Sequence, residues 1–156
     1  NPYSQYQKTH VTTASRENIL LMLYEACIKF TRQSVLALEE NRIADKGKNI
    51  SKAIAILSEL MAVLDFKVGG DLAVDLERLY VFMIDKLIEG NISNNPVCLK
   101  QVESLLETLY AGWKQAVNQE KDKVNKANHS LKDEKKKDVS ENDYPELDPT
   151  KFKVSV

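Results

Sequence analysis

Two histidines, two cysteines and a scatter of acids are the residues of this chain that could do chemistry. His10 and His129 stand apart, and neither sits in a metal-ligand spacing. The chain carries no HExxH, no CxxC, no ExxH pair of the kind that holds a di-iron centre and no glycine-rich phosphate loop. Cys27 and Cys98 both fall inside apolar helical patterns, which predicts reduced, buried thiols acting as small hydrophobes. The glycine pair in "VGGD" (Val68 to Asp71) has no strand before it, so it reads as a helix connector and not as a phosphate cradle. The acids lie on polar helix faces where solvation explains them, and nothing points to a carboxylate pair for general acid–base work. The residues therefore predict a protein that is not an enzyme, with no cofactor and no metal site.

The elements that carry these residues are helical. The chain has 156 residues, enough for one domain with a tail and a core that needs no disulfide or metal. It is 43% hydrophobic with only 5 glycines and 4 prolines, too few turn residues for a sandwich of short strands. A net charge of -1 predicts no field attractive to nucleic acid. No run of 18 apolar residues exists, so no membrane insertion is expected. The opening "NPYSQYQKTH" lacks the apolar core of a signal peptide, which predicts a cytoplasmic location.

Periodicity places four helices. The first runs from about Arg16 to about Asn41 with Ser15 as its N-cap and Glu17 in its first turn. A polar connector, "NRIADKGKN", follows, with Gly47 as punctuation and enough length to reach around the bundle. The second helix carries Ile50, Ala53, Ile54, Leu57, Leu60, Met61 and Leu64 and ends near Asp65. Asp71 is placed to cap the third, which Gly90 ends. Asn95 and Pro96 open the fourth, whose last apolar positions are Trp113 and Val117. The fold class predicted is all-α: an antiparallel four-helix bundle over residues 15–119, with a short N-terminal arm (1–14) and a charged C-terminal tail (120–156). The start of that tail can prolong the last helix as a solvated rod. Residues beyond Lys137 read as disordered, and the tail from about Lys121 as dispensable for folding.

One feature exceeds what such a bundle needs. Ile19 through Tyr24 are all apolar, so side chains point in every direction around the first helix. Either this helix is central and packed on two neighbours, or part of its surface is an exposed groove. "LMAVLDFKV" stays apolar through the end of the second helix, and contiguous exposed apolar surface marks a binding site.

The opening block, "NPYSQYQKTHVTTASRENILLMLYEACIKF", closely resembles the N-terminal signature of the flagellar secretion chaperones. The matching residues are Tyr3, Tyr6, Thr13, Ala14, Ser15, Leu20, Met22, Leu23, Tyr24, Glu25, Ala26 and Phe30. A second block, "ISKAIAILSELMAVLDFKVGGDLAVDLERLYVFMIDKL", is similar to the family's Leu-Asp, Gly-Gly and Leu-x-x-Leu-Tyr elements, and Trp113 matches its late tryptophan. Arg16 departs from the proline that many members carry after Ala-Ser, and the charged tail is longer than the family's.

The resemblance implies a cytoplasmic four-helix-bundle chaperone and no enzyme. It would bind the C-terminal segment of flagellin as a monomer or 1:1 heterodimer, block premature polymerisation and present the complex to the flagellar export gate. The apolar excess would then serve core and client together. On that reading Leu64, Phe66, Leu72 and Leu76 contact the client near the turn between the second and third helices, with Leu20, Leu21 and Tyr24 on the first. Tyr3 and Tyr6 would bring the arm over the same surface until flagellin displaces it. The competing reading is a structural or signalling bundle whose apolar excess is all core or dimer interface.

Overall fold

Asparagine, not glycine, stops the helices at one end of this molecule. In the computed structural model, which describes residues 16–138 and side chains through 135, α1 spans Arg16–Glu39, α2 Ile43–Ala62, α3 Phe66–Ser93 and α4 Pro96–Asp138. No strand occurs among the described residues. The expected all-α bundle is the observed one, but its turns differ from the predicted turns.

The first connector is three residues, not a long crossover. Asn41 adopts the left-handed conformation (φ 58°). The Arg42 amide donates to Ala37 O (2.7 Å) and the Asn41 amide to Leu38 O (3.1 Å), the paired bonds of a Schellman stop. Gly47, read as punctuation, lies inside α2. α3 stops in the same way: Asn94 is left-handed (φ 51°), and the Asn95 amide donates to Gly90 O (3.1 Å). Gly90 is therefore not a terminus. A Cβ there would stand 2.8 Å from Leu99 Cδ2 and 3.2 Å from Asn95 O, so the glycine is kept for close packing of α3 on α4. Asn95 Oδ1 accepts from the Val97 amide (3.0 Å) and Pro96 is the first helical residue, as predicted.

α2 ends three residues earlier than the pattern suggests, because its apolar stripe runs on into the turn. Asp65, not Asp71, is the cap: its Oδ1 accepts from the amides of Lys67 (3.0 Å) and Val68 (3.1 Å). One helical turn follows before Gly70 (φ 51°, ψ -127°) breaks the axis, and the long part of α3 begins after it.

Cross-helix contacts fix the topology. Arg32 reaches Glu103 (2.7 Å) and Glu107, Lys100 pairs with Glu39 (3.3 Å), and the Tyr110 hydroxyl donates to Glu25. As numbers fall along α1 they rise along α4, so the two run antiparallel. Cys27 Sγ donates to Ala53 O (3.6 Å) between α1 and α2, and Lys46 Nζ to Asn91 O (2.9 Å) between α2 and α3. Between these edges lies one core that includes Tyr24, Ile50, Leu57, Tyr80, Met83, Leu87, Leu99 and Leu106. Val117 is the last buried residue among the described side chains of α4, and the bundle unit ends there; a second unit starts at Asn118. The arm at 1–14, the Ser15 cap and the segment beyond Lys137 expected to be disordered, Asp138's helical backbone apart, lie outside the described residues.

Candidate functional site

The end of the bundle where α1 begins, α2 turns into α3 and α4 carries Trp113 is open. α1 brings Leu20 there. α2 brings Leu60, Val63 and Leu64, the last apolar residues of a stripe that outlasts its helix. The α2–α3 turn and the start of α3 bring Val68, Gly69, Leu72, Ala73, Leu76 and Tyr80. Together they line a cleft of about 250 Å³ whose wall is almost wholly hydrocarbon. A neighbouring hollow of about 470 Å³, lined by Arg16, Ile19, Leu20, Leu23 and Val63, shares Leu20 and Val63 with it. The apolar surface is thus continuous from the first turns of α1 to the first turns of α3.

Much of that surface faces water. Val68 is 86% exposed, Val63 72% and Leu72 57%. In the apolar run of α1, Met22 is 65% and Ile19 48% exposed, Leu20, Leu21 and Leu23 are half-buried, and only Tyr24 is closed off. The run therefore serves both purposes: Tyr24 is sealed in the core and Leu20 and Leu23 pack partly against it, while Ile19, Leu20 and Leu23 also line the open end.

Among the described residues the cleft walls carry no reactive chemistry. Asp65, the carboxylate among the described lining residues, is occupied in capping α3. Beneath it the Tyr24 and Tyr80 hydroxyls share a 2.6 Å hydrogen bond, with ring centroids 6.5 Å apart. Burial raises both phenols above their ordinary range, and for Tyr80 the neighbouring Tyr24 adds to the rise, so both stay neutral hydroxyls. Burial also pushes the Cys27 thiol up to about 12, which removes the thiolate a nucleophile requires. Trp113 packs its ring against the core, and its buried indole N–H has no hydrogen-bond partner among the described residues. No three His, Cys, Asp or Glu side chains among those residues are grouped to hold a metal ion. No helix among them is long and apolar enough to cross a membrane. What such an arrangement can do is bury another apolar segment.

The residues singled out in the sequence separate in three dimensions. Leu20, Leu64, Leu72 and Leu76 meet at the cleft. Phe66, the first residue of α3, is half-exposed, and Leu21 is half-buried on α1, neither on the cleft wall. Tyr24, expected to contact the client, is fully buried and supports the floor through its bond to Tyr80. Tyr3 and Tyr6 lie outside the described residues. Leu60, Val63, Val68, Gly69, Ala73, Tyr80 and Trp113 were not predicted as site residues. For Val63 and Val68 the signal was available: apolar residues continuing past a helix end have no core left to enter. For Trp113, which is 33 positions from Tyr80 in sequence, only the packing of α4 reveals the neighbourhood.

Comparison with known proteins gives the family. The family model described as "Flagellar protein FliS" matches residues 1–120. The chain is 34% identical over 121 residues to the flagellar secretion chaperone FliS of Bacillus subtilis, covering 78% of this chain and 90% of that protein. It is 36% identical over 113 residues to the flagellar secretion chaperone FliSB of Pseudomonas aeruginosa, covering 70% and 90%. With the FliS of Salmonella typhimurium the identity is 35% over 106 residues, covering 67% and 78%.

Proposed function

The chain belongs to the flagellar protein FliS family, and from that premise we propose that it is a cytoplasmic flagellar secretion chaperone and not an enzyme. Its client is the C-terminal segment of flagellin, held in the open apolar cleft so that it cannot polymerise early. The complex, a 1:1 heterodimer, is presented to the flagellar type III export gate. The observation that carries this reading is the continuous apolar surface at one end of a well-packed bundle, built from Leu20, Val63, Leu64, Val68 and Leu72, with no reactive group on it.

The energetics suit a carrier that must also let go. A segment burying on the order of 1,000 Å² of apolar surface gains about 25 kcal/mol gross. Ordering the segment and losing its free motion cancel most of that gain. Tyr3 and Tyr6, each an apolar ring with a polar tip, are suited to cover the cleft before the client arrives. Such a cover lowers apparent affinity by the fraction of molecules left open.

Sedimentation of the chain with and without the C-terminal segment of flagellin tests the proposal. The expected result is a 1:1 complex that Val68→Asp disrupts while helicity is retained. A homodimer indifferent to flagellin would overturn it and favour a structural bundle.

A further inference from the structure

α4 continues well past the family match, which ends at residue 120. From Asn118 to Lys135 every residue is exposed. A solitary stretch of this length is a marginal helix in water unless something packs on it. Val124 and Leu131 are its exposed large apolar residues, seven apart, with Ala127 between them on the same face. Lys121, Lys123 and Lys135 flank that face, against Glu120 and Glu134. Residues 121–137 hold seven lysines against three acids. The charge then reverses: residues 138–150 hold five acids and no lysine or arginine.

We propose that the chain's own acidic segment, residues 141–148, binds along this seam, with Tyr144 against Leu131 and Leu147 against Val124. Pro145 and Pro149 bar a helix there and favour the extended polyproline form. In that form residues three apart lie on one face about 9 Å from each other. Val124 and Leu131 are about 10.5 Å apart along the helix axis, so two anchors meet two anchors. Residues 139 and 140 provide the turn, and Asp143, Glu146 and Asp148, on the two sides of the anchor face, come beside the flanking lysines. The seam is thus an acceptor for an acidic, extended segment with two apolar anchors, and the tail is its occupant in cis.

Hydrogen exchange of the full chain tests this. Tyr144→Ser with Leu147→Ser alters neither the bundle nor the α4 extension, yet protection of amides 124–135 is expected to fall roughly tenfold. Raising salt from about 0.1 M to about 1 M should reduce it too, because the Debye length shrinks from about 10 Å to about 3 Å. Protection unchanged by the double substitution would overturn the proposal. So would protection that disappears on dilution, which would identify a second copy as the occupant.

Discussion

The two ends of the bundle are built on opposite terms. At the end holding the α1–α2 and α3–α4 turns, the turns are tied by polar contacts. Lys46, only 3% exposed, donates to Asn91 O and to Asn94 Oδ1. Arg42 is clasped by Glu40 (2.7 Å) and Asp45 (2.8 Å). Two asparagines close two helices, and Gly90 lets α3 and α4 touch. At the other end α2 stops short, Gly70 breaks the start of α3, and valines and leucines stand in water. Stability comes from the closed end and the shared core, while the exposed Val63, Val68 and Leu72 of the open end carry apolar surface that contributes little to folding. A single-domain carrier has to separate these roles in space, because a well-packed core presents no surface to a client.

The largest effect is expected at the closed end. Gly90→Val should destabilise the chain by about 3 kcal/mol, since its Cβ alone already meets Leu99 too closely. Urea unfolding reads this as a lower midpoint at unchanged slope. A loss under half a kcal/mol would mean that α3 and α4 slide apart freely, and the contrast between the ends would collapse.

Next comes Leu72→Asp at the open end. It should weaken flagellin binding by about 2 kcal/mol, roughly thirtyfold, because a carboxylate would have to lose water on client entry. Titration calorimetry gives the affinity. The urea midpoint should scarcely move, and a shift as large as that of Gly90→Val would make Leu72 a core residue.

A smaller effect lies between the ends. Tyr80→Phe removes one partner of the buried hydroxyl pair and should cost about 1 kcal/mol, the price of leaving Tyr24 without its bond. The same region sets an alkaline limit. Cys27 has its ordinary value near 9.0 when unfolded and about 12 when folded, so the folded state binds the proton more tightly. The contribution of Cys27 to stability is fully present below pH 9 and is lost as pH rises from there toward 12, with the raised Tyr24 and Tyr80 adding in the same direction above pH 10. Urea midpoints at pH 8, 10 and 11 check the sign, and a rising series would contradict it. Smallest of all, Val68→Ser should change stability by less than about 0.5 kcal/mol, since the side chain is already in water. A larger loss measured by thermal melting would show that the turn packs on something.

The apolar periods alone determined four helices, their order and most of the core, because an i, i+3, i+4 stripe has few ways to be buried. The pattern also marked Leu64, Leu72 and Leu76, whose stripe points toward the α2–α3 turn. Turns were legible only in part. Gly47 and Gly90 resemble helix stops, yet the stops are Asn41 and Asn94; a glycine in sequence does not say whether it serves a positive φ or a close contact. Tertiary structure alone decided which apolar residues are sealed and which stay wet. Tyr24 and Met22 stand two apart on one helix, but the first meets Tyr80 and the second meets solvent. Trp113 joins the cleft only because α4 runs antiparallel to α1 and returns to the end where α1 begins. Hydrophobicity is a property of the residue, whereas burial depends on which neighbours arrive, and those neighbours are set by the packing of all four helices at once.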